Sequence, residues 1–195
     1  MSARKIHGLA NRSILFNEHI LPYIGKTNLD FGCGNGMGTR IMALHKPESH
    51  FVGYDIDPDK ISQARILLNG SSVSNLEILN AQADLQGLQF PSVTANFVYH
   101  EHLELMKDLY TLISSGGKVL VLDYDLKGIS RRDFLKRFSC DNERKVLIRE
   151  GPENCYQKHT SKGLSDCVEA IRGVGFTVKE SQSRGGYFVL VGVKN

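Results

Sequence analysis

The chain has no tryptophan, five prolines and four cysteines among its 195 residues. No apolar run approaches the roughly 20 residues that span a bilayer, so no helical membrane anchor is expected. The opening MSARKIHGLANRS lacks the apolar core of a secretory signal. Cys33, Cys140, Cys155 and Cys167 are scattered, with no CxxC pair. That argues against a disulfide framework or a zinc ribbon and points to a reducing, cytoplasmic compartment. Excess charge is scarce too: 24 Lys and Arg face 21 Asp and Glu, a net of +3, too mild to imply a nucleic-acid partner. What is present, 41% hydrophobic and 23% charged residues, suffices for the core of a single domain.

Helix-like and strand-like segments alternate along the chain. Residues 9–21 (LANRSILFNEHIL) carry apolar side chains at near-helical spacing before Pro22. TNLDF reads as a strand, GTRIMALHK as a helix, HFVGYDI as a buried strand, and PDKISQARILLNG as a helix started by Pro58 and stopped by Gly70. LEILNAQ and NFVYH read as the third and fourth strands. LELMKDLYTLI reads as a helix closed by SSGG, and KVLVLDY as the fifth strand. Strands alternating with helices predict a doubly wound, mostly parallel α/β sheet. GLSDCVEAIRGV is a further helix; FTVKESQ and YFVLVGV around SRGG predict a C-terminal antiparallel hairpin. Residues 126–160 are too long for a simple connection and are expected to form a cap insertion in a single domain covering residues 1–195.

The sharpest motif is LDFGCGNGMG, residues 29–38. Its glycines at 32, 34 and 36 permit a tight turn and close approach of a ligand to the main chain. The spacing is G-x-G-x-G, not the G-x-G-x-x-G of dinucleotide folds. Asp30, just before the loop, suits a cationic ligand such as a sulfonium with an α-amino group better than a pyrophosphate. Asp55 ends the next strand, 21 residues beyond Gly34, where a carboxylate can accept both hydroxyls of a ribose. Asp84 and Leu85 are expected at the third strand end, facing an adenine.

These motifs give the chain its resemblance to the class I S-adenosylmethionine-dependent methyltransferases, of the small-molecule type related to ubiquinone and menaquinone methylases. LDFGCGNG, GYDIDPDKISQAR and LYTLISSGGKVLVLDYD carry it, over about residues 27–125. The resemblance implies a Rossmann-like seven-stranded sheet and S-adenosylmethionine as cofactor, with S-adenosylhomocysteine as product. It further implies that Asp30, Gly32 and Gly34 line the methionine part, that Asp55 holds the ribose, and that Asp84 and Leu85 hold the adenine, with Ile56 also among the cofactor-binding residues. Asp57 reads as a solvated helix-start carboxylate, and Cys33 as a small buried residue.

The acceptor is expected beyond the ends of the fourth and fifth strands, where Tyr99, His100, Glu101, His102, Asp123, Tyr124 and Asp125 gather. Methyl transfer needs alignment and, where the acceptor carries a proton, a base. His100 is the candidate base, with Asp123 and Tyr124 beside it. His100, His102 and the neighbouring glutamates form only a local cluster, so no metal is expected. Between Lys127 and Arg149, eight basic residues face three acids, which favours an anionic small-molecule acceptor, with a merely solvated helix as the alternative. RNA or protein methylation, and a non-catalytic cofactor-binding module, remain the rival readings. The N-terminal helix is expected to close the pocket's other side, with Tyr23 near the mouth.

Overall fold

A computed structural model describes residues 14–79, 81–102, 104–138 and 147–195. The part of the expected first helix from residue 9 to residue 13, together with Leu103, Cys140, Arg144 and Lys145, lies outside the described residues. Helix α1 covers residues 14–19, followed by a 3₁₀ turn at Leu21–Tyr23. Then come β1 (Thr27–Phe31), α2 (Met37–His45), β2 (His50–Tyr54), α3 (Pro58–Asn69) and β3 (Leu76–Ile78). A 3₁₀ turn at Gln82–Leu85 leads to β4 (Phe90–Asn96), α4 (Leu105–Leu112) and β5 (Ile113–Tyr124). After β5 lie α5 (Arg131–Arg137), the helical residues 147–150 (α6) and α7 (Pro152–Thr160). Helix α8 (Leu164–Gly173) and strands β6 (Phe176–Arg184) and β7 (Tyr187–Lys194) complete the order.

The seven strands form one sheet in the order β3-β2-β1-β4-β5-β7-β6. The first five pair in parallel, and β7 inserts antiparallel between β5 and β6. This is the expected doubly wound mixed sheet with its C-terminal hairpin. Central strands are apolar on both faces because helices cover both. On one face Leu29, Val93, Val119, Val121, Phe188 and Leu190 pack beneath α4 and α8. On the other, Phe51, Leu120, Leu122, Val189 and Val191 pack with Leu15, Ile20, Met42 and Ala43. Strand β6, at the edge, alternates buried and exposed only at its start and then faces solvent, as a sheet edge does.

Three boundaries differ from expectation. The fourth strand is Phe90–Asn96 rather than NFVYH. Phe97 has φ +60°, a left-handed conformation that ends an extended run, and residues 97–100 form the loop beyond it. The third strand stops at Ile78, so Asp84 and Leu85 belong to a 3₁₀ turn six residues further on. The SSGG segment is part of β5, with Gly116 at φ +72°; a Cβ at Gly117 would lie 2.8 Å from Ile113 Cγ2.

Between β5 and α8, Leu126, Phe134, Phe138 and Cys155 form a cluster of their own, joined to the sheet through Tyr124. Phe134 and Phe138 stack at 4.2 Å. The α5–α7 segment therefore sits over the carboxyl end of β5.

Candidate active site

The chain reverses direction along the sheet between β1 and β4, which opens a crevice beyond their carboxyl ends. The glycine loop leaves β1 on one side of it, and residues 97–102 leave β4 on the other. The two loops touch. A Cβ at Gly32, already at φ +76°, would stand 2.4 Å from Val98 Cγ2, so only glycine fits there. Gly34, at φ +57°, has nothing within 4 Å of its Cβ position. One glycine serves packing and the other leaves open space over the main chain.

Asp55 braces this loop. Its Oδ2 accepts from the Gly34 amide at 2.8 Å, and its Oδ1 accepts from the Asp57 amide at 3.0 Å. The carboxylate is half-buried, and beside it Ile56 is 83% exposed. An isolated apolar side chain so open to water next to a polar loop is the kind of surface a planar ligand covers. Asp57 caps α3, accepting from the Asp59 and Lys60 amides, the helix-start role read from sequence. Cys33 is buried, and burial pushes its thiol well above the usual range.

Asp30 lies under the loop. Register pairs it with Thr94 of β4, whose hydroxyl donates to Oδ1 at 2.9 Å. Thr39 donates to Oδ2 at 2.5 Å and Asn96 Nδ2 to Oδ1 at 3.3 Å. Burial pushes the Asp30 carboxyl up to about 6, against the pull of these three donors. Asn96 Oδ1, next to it, is buried without a hydrogen-bond partner, and such an orphan acceptor calls for a donor from outside the protein. Asp84 is exposed and accepts from the Ala81 amide at 3.0 Å, while Leu85 is buried in the core.

Across the crevice, His100 is 8% exposed. Its ring Nδ1 lies 2.7 Å from Asp123 Oδ1, and its backbone amide donates to Asp123 Oδ2 at 3.1 Å. A carboxylate accepts only, so Nδ1 carries a proton, and in the neutral ring the lone pair is on Nε2. Asp123 itself is fully buried and also accepts from the Tyr124 amide. The Tyr124 ring lies 5.4 Å from His100 and packs against Phe97, Tyr187 and Phe138. His100, Asp123 and Tyr124 thus stand together. His102 is half-exposed and supports the start of α4, accepting from the Glu104 amide at 3.2 Å.

Sequence reading missed what the α5–α7 segment contributes. His159 of α7 lies over His100, with ring centroids 4.5 Å apart. Its Nδ1 donates to the Cys155 carbonyl at 2.8 Å, which leaves Nε2 as an acceptor. Burial, followed by the neighbouring His100, holds the His159 imidazole below its usual range. Lys162 donates to the carbonyls of Tyr99 and His102 at 3.1 and 3.4 Å, bracketing His100. The i, i+4 spacing of Cys155 and His159 was a helix signal, but nothing local revealed that this helix returns to β4.

Among the described residues, most of the basic side chains counted in this segment are paired rather than free. Lys127 pairs with Asp166, Arg131 with Glu153, Lys136 with Asp133, and Arg149 with Glu150. Arg137 donates to the Gly185 carbonyl and lies over the Tyr187 ring. Three of these acids, Glu150, Glu153 and Asp166, lie outside residues 127–149. Tyr23, expected near the mouth, instead donates to Glu180 of β6 at 2.8 Å, where His19 is bound as well. Among the described residues, no group of three or more His, Cys, Asp or Glu could hold a metal ion, and no helix is long and apolar enough to cross a membrane.

Residues 29–119 match the family described as "Methyltransferase domain". Ribosomal protein L11 methyltransferase of Haemophilus ducreyi is 36% identical over 99 residues, covering 50% of this chain and 33% of that protein. The enzyme of the same name from Photobacterium profundum is 33% identical over 99 residues, with the same coverage. The chain therefore spans about a third of the length of the curated relatives it matches. Among solved structures, a SAM-dependent methyltransferase from Aquifex aeolicus superposes with TM-score 0.65 at 15% identity, covering 100% of both chains. Magnesium protoporphyrin IX methyltransferase from Synechocystis, solved with bound SAH, does so with TM-score 0.63 at 14% identity, covering 98% of this chain and 83% of that one.

Proposed function

Since residues 29–119 match the methyltransferase-domain family and the fold is that of the class I enzymes, we propose that this chain transfers a methyl group from S-adenosylmethionine to a small molecule. The observation that carries this reading is the meeting of two assemblies at one crevice. A glycine loop braced by Asp55 stands on one side, and a buried His100–Asp123 pair on the other.

When bound, S-adenosylmethionine supplies an electrophilic methyl group on a sulfonium sulfur. The open main chain at Gly34 would admit its methionine part, and the orphan Asn96 Oδ1 would accept from its ammonium. Asp55 would accept the ribose hydroxyls, and the exposed Ile56 would cover the adjoining ring. Asp30 is fully bonded within the protein and would act through charge and through its hold on Asn96. Asp84 and Leu85 would stand on the adenine side, Leu85 from within the core and Asp84 from the turn surface.

His100 would take the acceptor's proton at Nε2, with Asp123 fixing the tautomer and steadying the imidazolium. Tyr124 would wall the acceptor chamber. We treat residues 126–160 as a cap that shields this chamber from water, and the nearly complete burial of His100 beneath His159 favours a small acceptor over a folded protein surface. A protein acceptor is the second reading, favoured by the names of the curated relatives.

Calorimetric titration with S-adenosylmethionine and S-adenosylhomocysteine tests the reading, followed by transfer of a radiolabelled methyl group to a metabolite pool and to ribosomal protein. Label in small molecules supports it, label in protein selects the second reading, and absence of binding to either nucleotide overturns both.

A further inference from the structure

Besides Lys162, which is spent on backbone carbonyls, a second cation stands near the candidate base. Lys158 Nζ lies 2.8 Å from Glu101 Oε1, and the same oxygen lies 3.7 Å from His100 Nε2. Glu101 thus sits between the nitrogen that would take a proton and the ammonium on the cap. Lys158 immediately precedes His159, whose ring covers His100, so its position follows the docking of α7. Glu150 is also within reach of Lys158, at 3.4 Å, but makes its shorter contact, 2.7 Å, with Arg149. Glu101 is therefore the chief counter-charge of Lys158.

We propose that Lys158 recognises an anionic group of the acceptor, a carboxylate or a phosphate, and that the Glu101 carboxylate occupies this position in the free protein. The inference rests on the methyltransferase reading of the site and names the acceptor's charge. Glu101 is 47% exposed at its side chain and Lys158 31%, and exposed ion pairs contribute little to stability, so an incoming anion displaces Glu101 without a large penalty. With Glu101 turned out to solvent, Lys158 and Arg149 share Glu150 as their nearest counter-charge. Glu101 has the freedom to leave, because it belongs to the turn after Phe97 and is held there by its backbone amide to the Val98 carbonyl, 3.0 Å. Lys127, Arg131, Lys136 and Arg137 of the cap are engaged elsewhere, which makes this a local site rather than a diffuse basic surface.

The test uses the full chain loaded with S-adenosylhomocysteine, with benzoate and phenyl phosphate as anionic probes and benzamide as the uncharged one. Binding is read by calorimetry and by the ring-proton resonances of the probes. Removing the internal competitor in Glu101→Gln is expected to tighten both anions severalfold. Lys158→Met is expected to weaken them by about tenfold or more, and neither variant should move benzamide. Equal anion affinity in all three proteins, or no anion binding even in Glu101→Gln, overturns the proposal. Thermal melts of each variant confirm folding. S-adenosylhomocysteine affinity is measured separately. Its absence in the wild type would strike the methyltransferase reading, while probe titrations without nucleotide would still decide the role of Lys158.

Discussion

Asp123 grips His100 twice, with Oδ1 2.7 Å from the ring Nδ1 and Oδ2 3.1 Å from the backbone nitrogen. The first contact sets the tautomer and the second fixes the loop that carries the ring. In Asp123→Asn, an amide group facing Nδ1 would favour the tautomer with its proton on Nε2, which cannot act as a base. Turnover is expected to fall by about 10²–10⁴-fold, with S-adenosylhomocysteine affinity unchanged. Steady-state kinetics beside calorimetry would show the split, and loss of both in parallel would mean that the pair only holds the fold.

The two glycines of the loop should respond in opposite ways. Gly32→Ala drives a methyl group into Val98 at a positive φ and is expected to cost about 2–4 kcal/mol of stability, from overpacking together with left-handed strain. Gly34→Ala meets only the strain, about 1–2 kcal/mol, but places a methyl group in the open space above the main chain. Denaturant melts should rank Gly32→Ala as the less stable, and nucleotide titrations should rank Gly34→Ala among the weaker binders.

Asp55 serves its own loop as well as any ligand. Asp55→Ala frees the Gly34 and Asp57 amides and removes the ribose acceptor in one change. Affinity for S-adenosylmethionine is expected to drop by at least tenfold, roughly 1.4 kcal/mol or more, with a small fall in melting temperature. Unchanged affinity would place the nucleotide elsewhere.

Asp30 gives the protein a pH signature. Its carboxyl, at about 6 when folded, binds a proton more readily there than in the unfolded chain. The stabilisation is complete below about pH 4 and is lost as pH rises through 6, with a total on the order of 3 kcal/mol. His159, held below its usual range by burial, acts in the opposite sense, losing stability as pH falls below about 6.5. The difference in unfolding free energy between wild type and Asp30→Asn, measured from pH 4 to 7, isolates the carboxyl. A flat difference would show Asp30 to be ionised throughout.

The sheet was legible in the sequence because its central strands are buried on both faces and its helices carry strong boundary residues, such as Asp57, Pro58 and Gly70. LDFGCGNG and Asp55 were legible for the same reason, since both are consecutive with the strands that deliver them. What escaped was set by distant contacts. The end of β4 could not be placed, because Phe97 adopts a positive φ under rings of Tyr124 and Tyr187 that arrive much later in the chain. The pairing of Arg131 and Lys127 depended on Glu153 and Asp166, which no local charge window joins to them. The approach of His159 and Lys158 to His100 and Glu101 is likewise a product of the fold.

The strand order has a bearing on how the protein is made. Strand β7 lies between β5 and β6, although it is synthesised after both. Until Tyr187–Lys194 has emerged, the Val119–Leu122 stretch of β5 has an open flank and β6 has no partner in the sheet. Lys194 then bonds to the carbonyls of Tyr110 and Ile113 at the junction of α4 and β5. During translation the chain therefore carries an apolar, unpaired sheet edge until Tyr187–Lys194 has left the ribosome, and chaperone dependence should be concentrated in that interval.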